Sequence, residues 1–447
     1  MPGKHLSRWT LAWFGSALLL LLAACGLGLI GIGGPGNWAR GSGLALVHVF
    51  ALGWLCQVMM GALVQFVPVL AARPLALPVL ALPALLATFA GVLALALGFL
   101  ALDGHEALRV LFLVAPALIG LGFALVAAMV GATLLARDSL RLAEVRMVLL
   151  ALVGLGGLWL SGAVMVLTLS GLGPEVALPQ ALPLHMLFGI GGWLSLAAFG
   201  VSYKLFAMFL IAPDDGGRLR SAVFLAAGVL VAGLLAALLM VLAGRSAAWA
   251  AGLALGVVPV LILLYLAEIA RLWQSRRRAA PEVNMAWSRA ALAFLGLAMA
   301  LAVPGWLLGG PWAEAAVFAA LVGWLSTLTL AQLIKIVGFL TWIQVFAPRI
   351  GRQPVPMVQK LIDARSATAC LALWSAGTAA GCLALLLASP AGFRIAAGLL
   401  TLAALGIVRE LIAVRHLSHI AAEERPSRLP PLILPLFQPR QTAESRP

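Results

Sequence analysis

The chain has 447 residues, of which 63% are hydrophobic and only 10% are charged, and its mean hydropathy is +1.10. A soluble protein of this size would need far more polar side chains to cover its surface, so the composition excludes a soluble fold and indicates an integral membrane protein. The net charge of +14 raises the alternative of nucleic-acid binding, but the placement of the charges argues against it.

Charges, prolines and glycines divide the chain into twelve apolar runs, each long enough to cross about 30 Å of hydrocarbon as a helix. The first run has a charged start but no clear cleavage site, so we expect a retained helix rather than a removed signal peptide. We predict one membrane domain over 1–430 and an irregular, Pro-rich cytoplasmic tail over 431–447. In chain order, the predicted spans are 9–32, 43–70, 75–101, 109–136, 146–172, 181–212, 219–243, 247–271, 286–309, 313–346, 366–389 and 391–415.

The basic residues are distributed very unequally between the two ends of these runs. If the runs alternate in direction, 23 of the 29 lysines and arginines fall on the side of the N-terminus and four on the other, while Lys204 and Lys335 remain inside the membrane. Basic residues concentrate in cytoplasmic loops. We therefore expect both termini to be cytoplasmic in a bacterial-type inner membrane, with the lipid bilayer and not nucleic acid as the partner of the charges.

One pattern occurs three times, in the second, sixth and tenth runs. Each copy begins with Gly-Trp, and the tryptophan is followed by a small residue at seven positions and a long polar residue at eleven. At 100° per residue these positions lie close to one helical face, and the copies are separated by about four spans each. The sequence therefore predicts three four-helix repeats in a pseudo-threefold bundle, with the small residues serving close helix packing. The copies are GWLCQVMMGALVQFVP, GWLSLAAFGVSYKLFA and GWLSTLTLAQLIKIVG, within repeated helices at about 43–70, 181–212 and 313–346.

Two lysines occupy the long polar position of the repeat. Lys204 lies about 12 Å from the inner end of its helix and can snorkel to water, whereas Lys335 lies about 18 Å from it. A charge at that depth costs at least about 2.5–3.5 kcal/mol, and no acidic residue occurs in the middle of any run to offset it. We expect Lys335 to be neutral or satisfied by backbone carbonyls, water or a bound anionic group, and both lysines are candidate cofactor contacts. Structural snorkelling or capping is the alternative.

Two histidines, His48 and His185, fall about a turn below the outer surface, in the second and sixth runs. Histidine inside a membrane is a functional hypothesis by default, because neutral imidazole ligates haem iron and copper, and hydrogen bonding near the interface is the alternative. His48 precedes its tryptophan by six residues and His185 by eight, so the two leave the repeated face in different directions, which argues against a symmetric site. The residues expected at the surface are His105, His416 and His419.

Sulfur-containing residues give weaker signals. Met59 follows His48 by eleven residues on nearly the same helical face, which would suit a soft-ligand copper site, although methionine at helical spacing usually serves packing. The four cysteines lie in apolar runs without a CxxC spacing, so we expect neither a disulfide nor a cysteine metal site.

The twelve spans, the threefold repeat and the two histidines resemble subunit I of the haem-copper oxidase and nitric oxide reductase superfamily. The strings HVFALGWLCQVMMGALVQFVP, HMLFGIGGWLSLAAFGVSYKLFAMF and GWLSTLTLAQLIKIVGFLTW look closer to uncharacterised relatives of that subunit, and are similar to NnrS-type haem-copper membrane proteins. The resemblance implies that His48 is a haem ligand and His185 a metal ligand. It further implies one b-type haem, copper as a weaker expectation, and a function accessory to respiration, denitrification or nitric-oxide response.

The chain departs from that family at its metal centres. The seventh and tenth runs contain no histidine, whereas the family has copper and haem ligands there, and Tyr203 follows His185 by 18 residues rather than by one turn. A binuclear oxygen-reducing or nitric-oxide-reducing centre is therefore not expected, and the chain does not look like a terminal oxidase. The alternatives are a transporter for a small solute or metal, and a cofactor-free structural or assembly subunit that contacts other respiratory subunits.

Overall fold

The computed structural model describes residues 9–135, 139–171, 178–214, 217–427 and 429–433. Within this part the chain is all-α, and twelve helices are long and apolar enough to cross a membrane. Most of the predicted tail, residues 434–447, lies outside the described residues. The spans are α1 Thr10–Leu29, α2 Gly41–Leu70, α3 Pro78–Asp103, α4 Glu106–Leu134, α5 Ala143–Ser170, α6 Leu178–Leu210, α7 Arg218–Leu242, α8 Ala248–Gln274, α9 Val283–Leu308, α10 Gly310–Arg349, α11 Ala364–Leu386 and α12 Pro390–Arg415.

Every observed span begins and ends within three residues of its predicted run, which confirms the all-α membrane class and the count of twelve. The connections between spans are short, so consecutive helices alternate in direction. The repeated helices α2, α6 and α10 therefore all begin at one end of the bundle, which we call the histidine end, and finish at the other, which we call the basic end. They are also the most deeply buried of the spans, because the other helices surround them.

Each repeated helix contains a π-helical segment around its Gly-Trp pair. The segments are Val49–Cys56, Leu187–Ser195 and Ala319–Ser326. Their hydrogen bonds run from residue i to i+5, so each residue turns the chain by less than the 100° of an α-helix. The single helical face predicted for the repeat is therefore divided. Trp54 points to another repeated helix, whereas Gly61 and Gln65 contact α1.

The three tryptophans of the repeat form a closed ring of hydrogen bonds at the centre of the bundle. The indole of Trp54 donates to the Ser326 hydroxyl over 3.0 Å, and that of Trp324 donates to the Ser195 hydroxyl over 3.1 Å. The indole of Trp193 donates to the Cys56 sulfur over 3.2 Å and closes the cycle. Each acceptor follows its own tryptophan by two residues, so each repeated helix donates to one neighbour and accepts from the other. All three indoles are fully buried.

Small residues bring α2 and α6 against the span that precedes each of them. A Cβ atom added to Gly61 would lie 2.5 Å from the Cβ of Trp13 on α1. A Cβ atom added to Gly154 on α5 would lie 2.1 Å from the carbonyl oxygen of Gly192 on α6. Neither contact leaves room for a side chain, so the close approach of these helices depends on glycine.

We expect substitution of the ring acceptors to destabilise the bundle, because a buried indole N–H would lose its partner. Ser195→Ala and Ser326→Ala should each lower the free energy of unfolding by about 1–3 kcal/mol. Cys56→Ser should be neutral or stabilising, since serine is the acceptor in the other two copies. Denaturant unfolding of the detergent-solubilised protein measures all three. Alanine variants as stable as the wild type would show that the ring does not hold the bundle together.

Candidate functional site

The structure brings His48 and His185 together, although they occupy non-equivalent positions of the repeat. Their ring centres are 6.2 Å apart and the ring planes are inclined by 29°. His48 lies near the start of α2 and His185 near the start of α6, and both side chains enter the same space between α2, α3, α4, α5 and α6. The phenyl ring of Phe99 on α3 packs against His48, with 4.8 Å between the ring centres.

Both imidazoles are held by their Nδ1 atoms. The Nδ1–H group of His48 donates to the Leu44 carbonyl, one turn earlier in α2, over 2.8 Å. Nδ1 of His185 lies 3.1 Å from the Ser161 hydroxyl on α5, and that hydroxyl itself donates to the Gly157 carbonyl over 2.8 Å. Since the serine proton is used in this way, we assign the His185 bond to donation from Nδ1–H. In both histidines the lone pair is then on Nε2, the form in which imidazole binds a metal.

The cavity beside the two histidines has a volume of about 110 Å³. Its wall is almost entirely apolar, and a charged imidazolium would be poorly solvated there. Among the described residues that line it, no carboxylate is present. The lining residues are Leu44, His48, Leu52, Leu95, Phe99, Pro116, Ile119, Phe123, Leu158, Trp159, Gly162, Ala163, Met165, Val166, Leu169, Leu182 and His185.

The structure does not bring the two lysines to this cavity. Lys204 follows His185 by 19 residues along α6, a separation of roughly 28 Å in a helix. Lys335 lies on α10, in the half of the span near the basic end. The four candidate site residues therefore do not form one site: the histidines meet at one end of the bundle, and the lysines lie toward the other.

Lys335 has an acidic partner, which corrects the expectation that the sequence offers it none. Its ammonium group forms an ion pair with Glu282, the residue before α9, and lies 5.6 Å from the ring centre of Phe209. The backbone N–H of Arg278 donates to the Leu210 carbonyl over 3.2 Å, which holds the α8–α9 connection under the end of α6. Glu282 also accepts hydrogen bonds from Arg278 and Gln359. Burial opposes ionisation of Glu282, but Lys335, Gln359 and Arg278 together lower the pKa of its carboxyl below the ordinary value.

Lys204 is also paired, with Asp214 in the α6–α7 connection at 3.0 Å. Asp214 accepts a second ion pair from Arg220 at 2.7 Å, and Arg220 in turn contacts Glu268 on α8 at 2.8 Å. Burial disfavours the charge of Asp214, but Arg220 and Lys204 outweigh it and lower the pKa of the carboxyl. Lys204 is 42% exposed, which agrees with the predicted snorkelling. The acidic partners of both lysines lie in connections rather than inside spans, so a search of the apolar runs missed them.

Sequence reasoning also missed the contribution of α5. Ser161 orients His185, and Met165 lies in the wall of the histidine cavity. Met59, the sulfur ligand suggested by the spacing, lines a different cavity at the centre of the bundle. The histidines predicted at the surface, His105, His416 and His419, are all exposed, and His419 contacts Glu410 at 3.1 Å.

The fold and the site together define a twelve-span, all-α membrane protein with a pair of histidines in an apolar cavity. No group of three or more His, Cys, Asp or Glu side chains suited to a metal ion occurs in the described part of the chain. No protein-family model and no curated protein matches this chain.

We expect Glu282→Gln to destabilise the protein, because it leaves the buried Lys335 ammonium without a carboxylate. The loss should be about 3 kcal/mol, as for other broken buried pairs. Since the pKa of Glu282 is lowered on folding, its contribution is present above the unfolded carboxyl pKa of about 4.3 and is lost as the pH falls through the folded value. Unfolding midpoints measured from pH 7 to pH 3 test this.

Glu106→Gln is the matched control, because Glu106 pairs with Arg109 at the surface and both side chains are about half-exposed or more. That change should have little effect on stability. Equal stability of the two variants at pH 7 would contradict a structural role for the Lys335 pair.

Proposed function

We propose that this chain is a metal-binding integral membrane protein in which His48 and His185 hold one transition-metal ion. The observation that carries the proposal is the meeting of the two imidazoles in one cavity, each held by Nδ1 so that Nε2 carries the lone pair. Ligating histidines usually donate their other ring N–H to a carbonyl, carboxylate or water, which fixes the ring orientation. The Leu44 carbonyl and the Ser161 hydroxyl fill this role here.

The spacing of the rings supports a single shared ion. An imidazole nitrogen lies about 2.0 Å from its metal, so two imidazoles on opposite sides of one ion have ring centres roughly 6.3 Å apart. The ring centres of His48 and His185 are 6.2 Å apart.

A haem fits the cavity less well. An apolar cavity of about 150 Å³ holds one benzene molecule, and a porphyrin is several times larger than benzene. The cavity beside the histidines has only about 110 Å³, and Lys204 and Lys335, the candidate partners for its propionates, are engaged elsewhere. We therefore derive no function through a haem. The b-type haem implied by the resemblance stays a prediction that a reduced-minus-oxidised absorption spectrum would test.

We further propose that the protein has an accessory role in respiration, denitrification or nitric-oxide response, as the resemblance to haem-copper oxidase subunit I suggests. The location of the histidines on α2 and α6 supports this context, because the family has ligands on the same two helices. Neither alternative function has comparable support. The Trp ring lies across the bundle centre where a transport path would run, and a purely structural subunit would not need two oriented imidazoles.

We expect the purified protein to bind one equivalent of a transition metal, and His48→Ala or His185→Ala to abolish this binding. Elemental analysis after dialysis against metal-free buffer measures the stoichiometry. His105→Ala is the matched control, because His105 is exposed in a connection and should keep the full equivalent. Metal retained by both cavity variants, or none bound by the wild type, would refute the proposal and favour a cofactor-free structural subunit.

We also propose that the basic end faces the cytoplasm of a bacterial-type inner membrane, since it contains most of the arginines. A cysteine placed at exposed Ser246, between α7 and α8, should react with a membrane-impermeant maleimide in intact spheroplasts. A cysteine placed at exposed Arg277, between α8 and α9, should react only after lysis. Labelling of the Arg277 position in intact spheroplasts, and of the Ser246 position only after lysis, would show that the orientation is the opposite of the proposed one.

A further inference from the structure

A third potential ligand lies in the wall of the histidine cavity. Met165 on α5 lines the same space as His48 and His185. It follows Ser161 by four residues and Gly162 by three, which places all three residues on one face of the helix. That face contacts His185 directly, since Ser161 is hydrogen-bonded to its Nδ1.

The backbone of α5 approaches His185 closely at Gly162. A Cβ atom added to Gly162 would lie 2.8 Å from Cε1 of His185. The imidazole therefore packs against the helix backbone, and Met165, one turn further along that helix, belongs to the wall of the same cavity and has a long, flexible side chain. A single helix thus orients one histidine and contributes a thioether residue to the wall of the cavity that both histidines line.

We propose that Met165 is the third ligand of the metal site, and that the resulting set of two nitrogens and one sulfur selects Cu(I). This inference rests on the proposed function of the histidine pair. A thioether is a soft ligand that favours Cu(I), and imidazole also suits copper. Hard ions such as Mg²⁺ and Ca²⁺ require oxygen ligands, and among the described residues that line the cavity no carboxylate is present.

The charge of the ion points to the same choice. The proposed ligands His48, His185 and Met165 are all neutral. The charge of the ion would therefore not be compensated by any ligand in this apolar cavity. The cost of moving an ion out of water rises with the square of its charge, so a monovalent ion is far less costly here than a divalent one. The site should therefore prefer Cu(I) to Cu²⁺ and Zn²⁺.

Replacement of Met165 by leucine tests the sulfur ligand with little change in side-chain volume. We expect Met165→Leu to weaken Cu(I) binding by about tenfold or more, measured by competition with a chromogenic Cu(I) chelator under reducing conditions. Met59→Leu is the matched control, because Met59 lines the central cavity and not the histidine cavity. Its Cu(I) affinity should equal that of the wild type.

X-ray absorption of the Cu(I)-loaded wild-type protein gives a second readout that needs no variant. It should show two nitrogen scatterers and one sulfur scatterer, and the sulfur should be absent in Met165→Leu. A nitrogen-only spectrum, or equal affinities for the two leucine variants, would overturn the role of Met165. If copper is lost in His48→Ala but not in Met165→Leu, only this inference fails. If His48→Ala binds copper as tightly as the wild type, both the proposed function and this inference fail.

Discussion

The ring of three buried indoles is the constraint on which the rest of the bundle depends. An indole N–H in hydrocarbon has no water to bond, so each must find an acceptor within the protein. The acceptor for each indole lies in another copy of the same motif, and this holds for Trp54, Trp193 and Trp324. The acceptor follows the tryptophan by two residues and so lies on a different side of the same helix. This arrangement fixes the register of the three repeated helices at once, because a shift of any one helix would break two of the three bonds.

The metal-site candidate arises from a departure from this symmetry. Equivalent positions on three symmetry-related helices would point into three different cavities. His48 lies six residues before its tryptophan and His185 eight, and two residues correspond to about half a turn of helix. His48 therefore points from α2, and His185 from α6, into the space between these two helices. The unequal spacing, which argued against a symmetric site, is what brings the imidazoles together in a single cavity.

The sequence predicted the features that depend on composition and period, and missed those that depend on neighbours. The twelve spans follow from apolar length, and the repeat follows from Gly-Trp at regular intervals. The π segments were not predictable, because an isolated glycine such as Gly53 in Val49–Cys56 is tolerated in an α-helix and does not indicate i to i+5 hydrogen bonds. Glu282 was missed because it belongs to a connection that folds under α6, and its distance from Lys335 along the chain gives no sign of contact. Ser161 and Met165 were missed because α5 is apolar all round, so its pattern does not show which face meets the histidines.

The buried ion pairs and the proposed metal ligands lie at opposite ends of the bundle, and this separation bears on which ion the proposed site would hold. The described ion pairs that involve the buried Arg220 and Lys335 are at the basic end, where Asp214 and Glu268 neutralise the arginine and Glu282 the lysine. At the histidine end the cavity offers lone pairs but no charge. A divalent ion there would need an anion from outside the protein to offset its second charge, whereas Cu(I) needs only neutral nitrogen and sulfur ligands. The distribution of polar groups along the bundle therefore favours the same ion as the chemistry of His48, His185 and Met165.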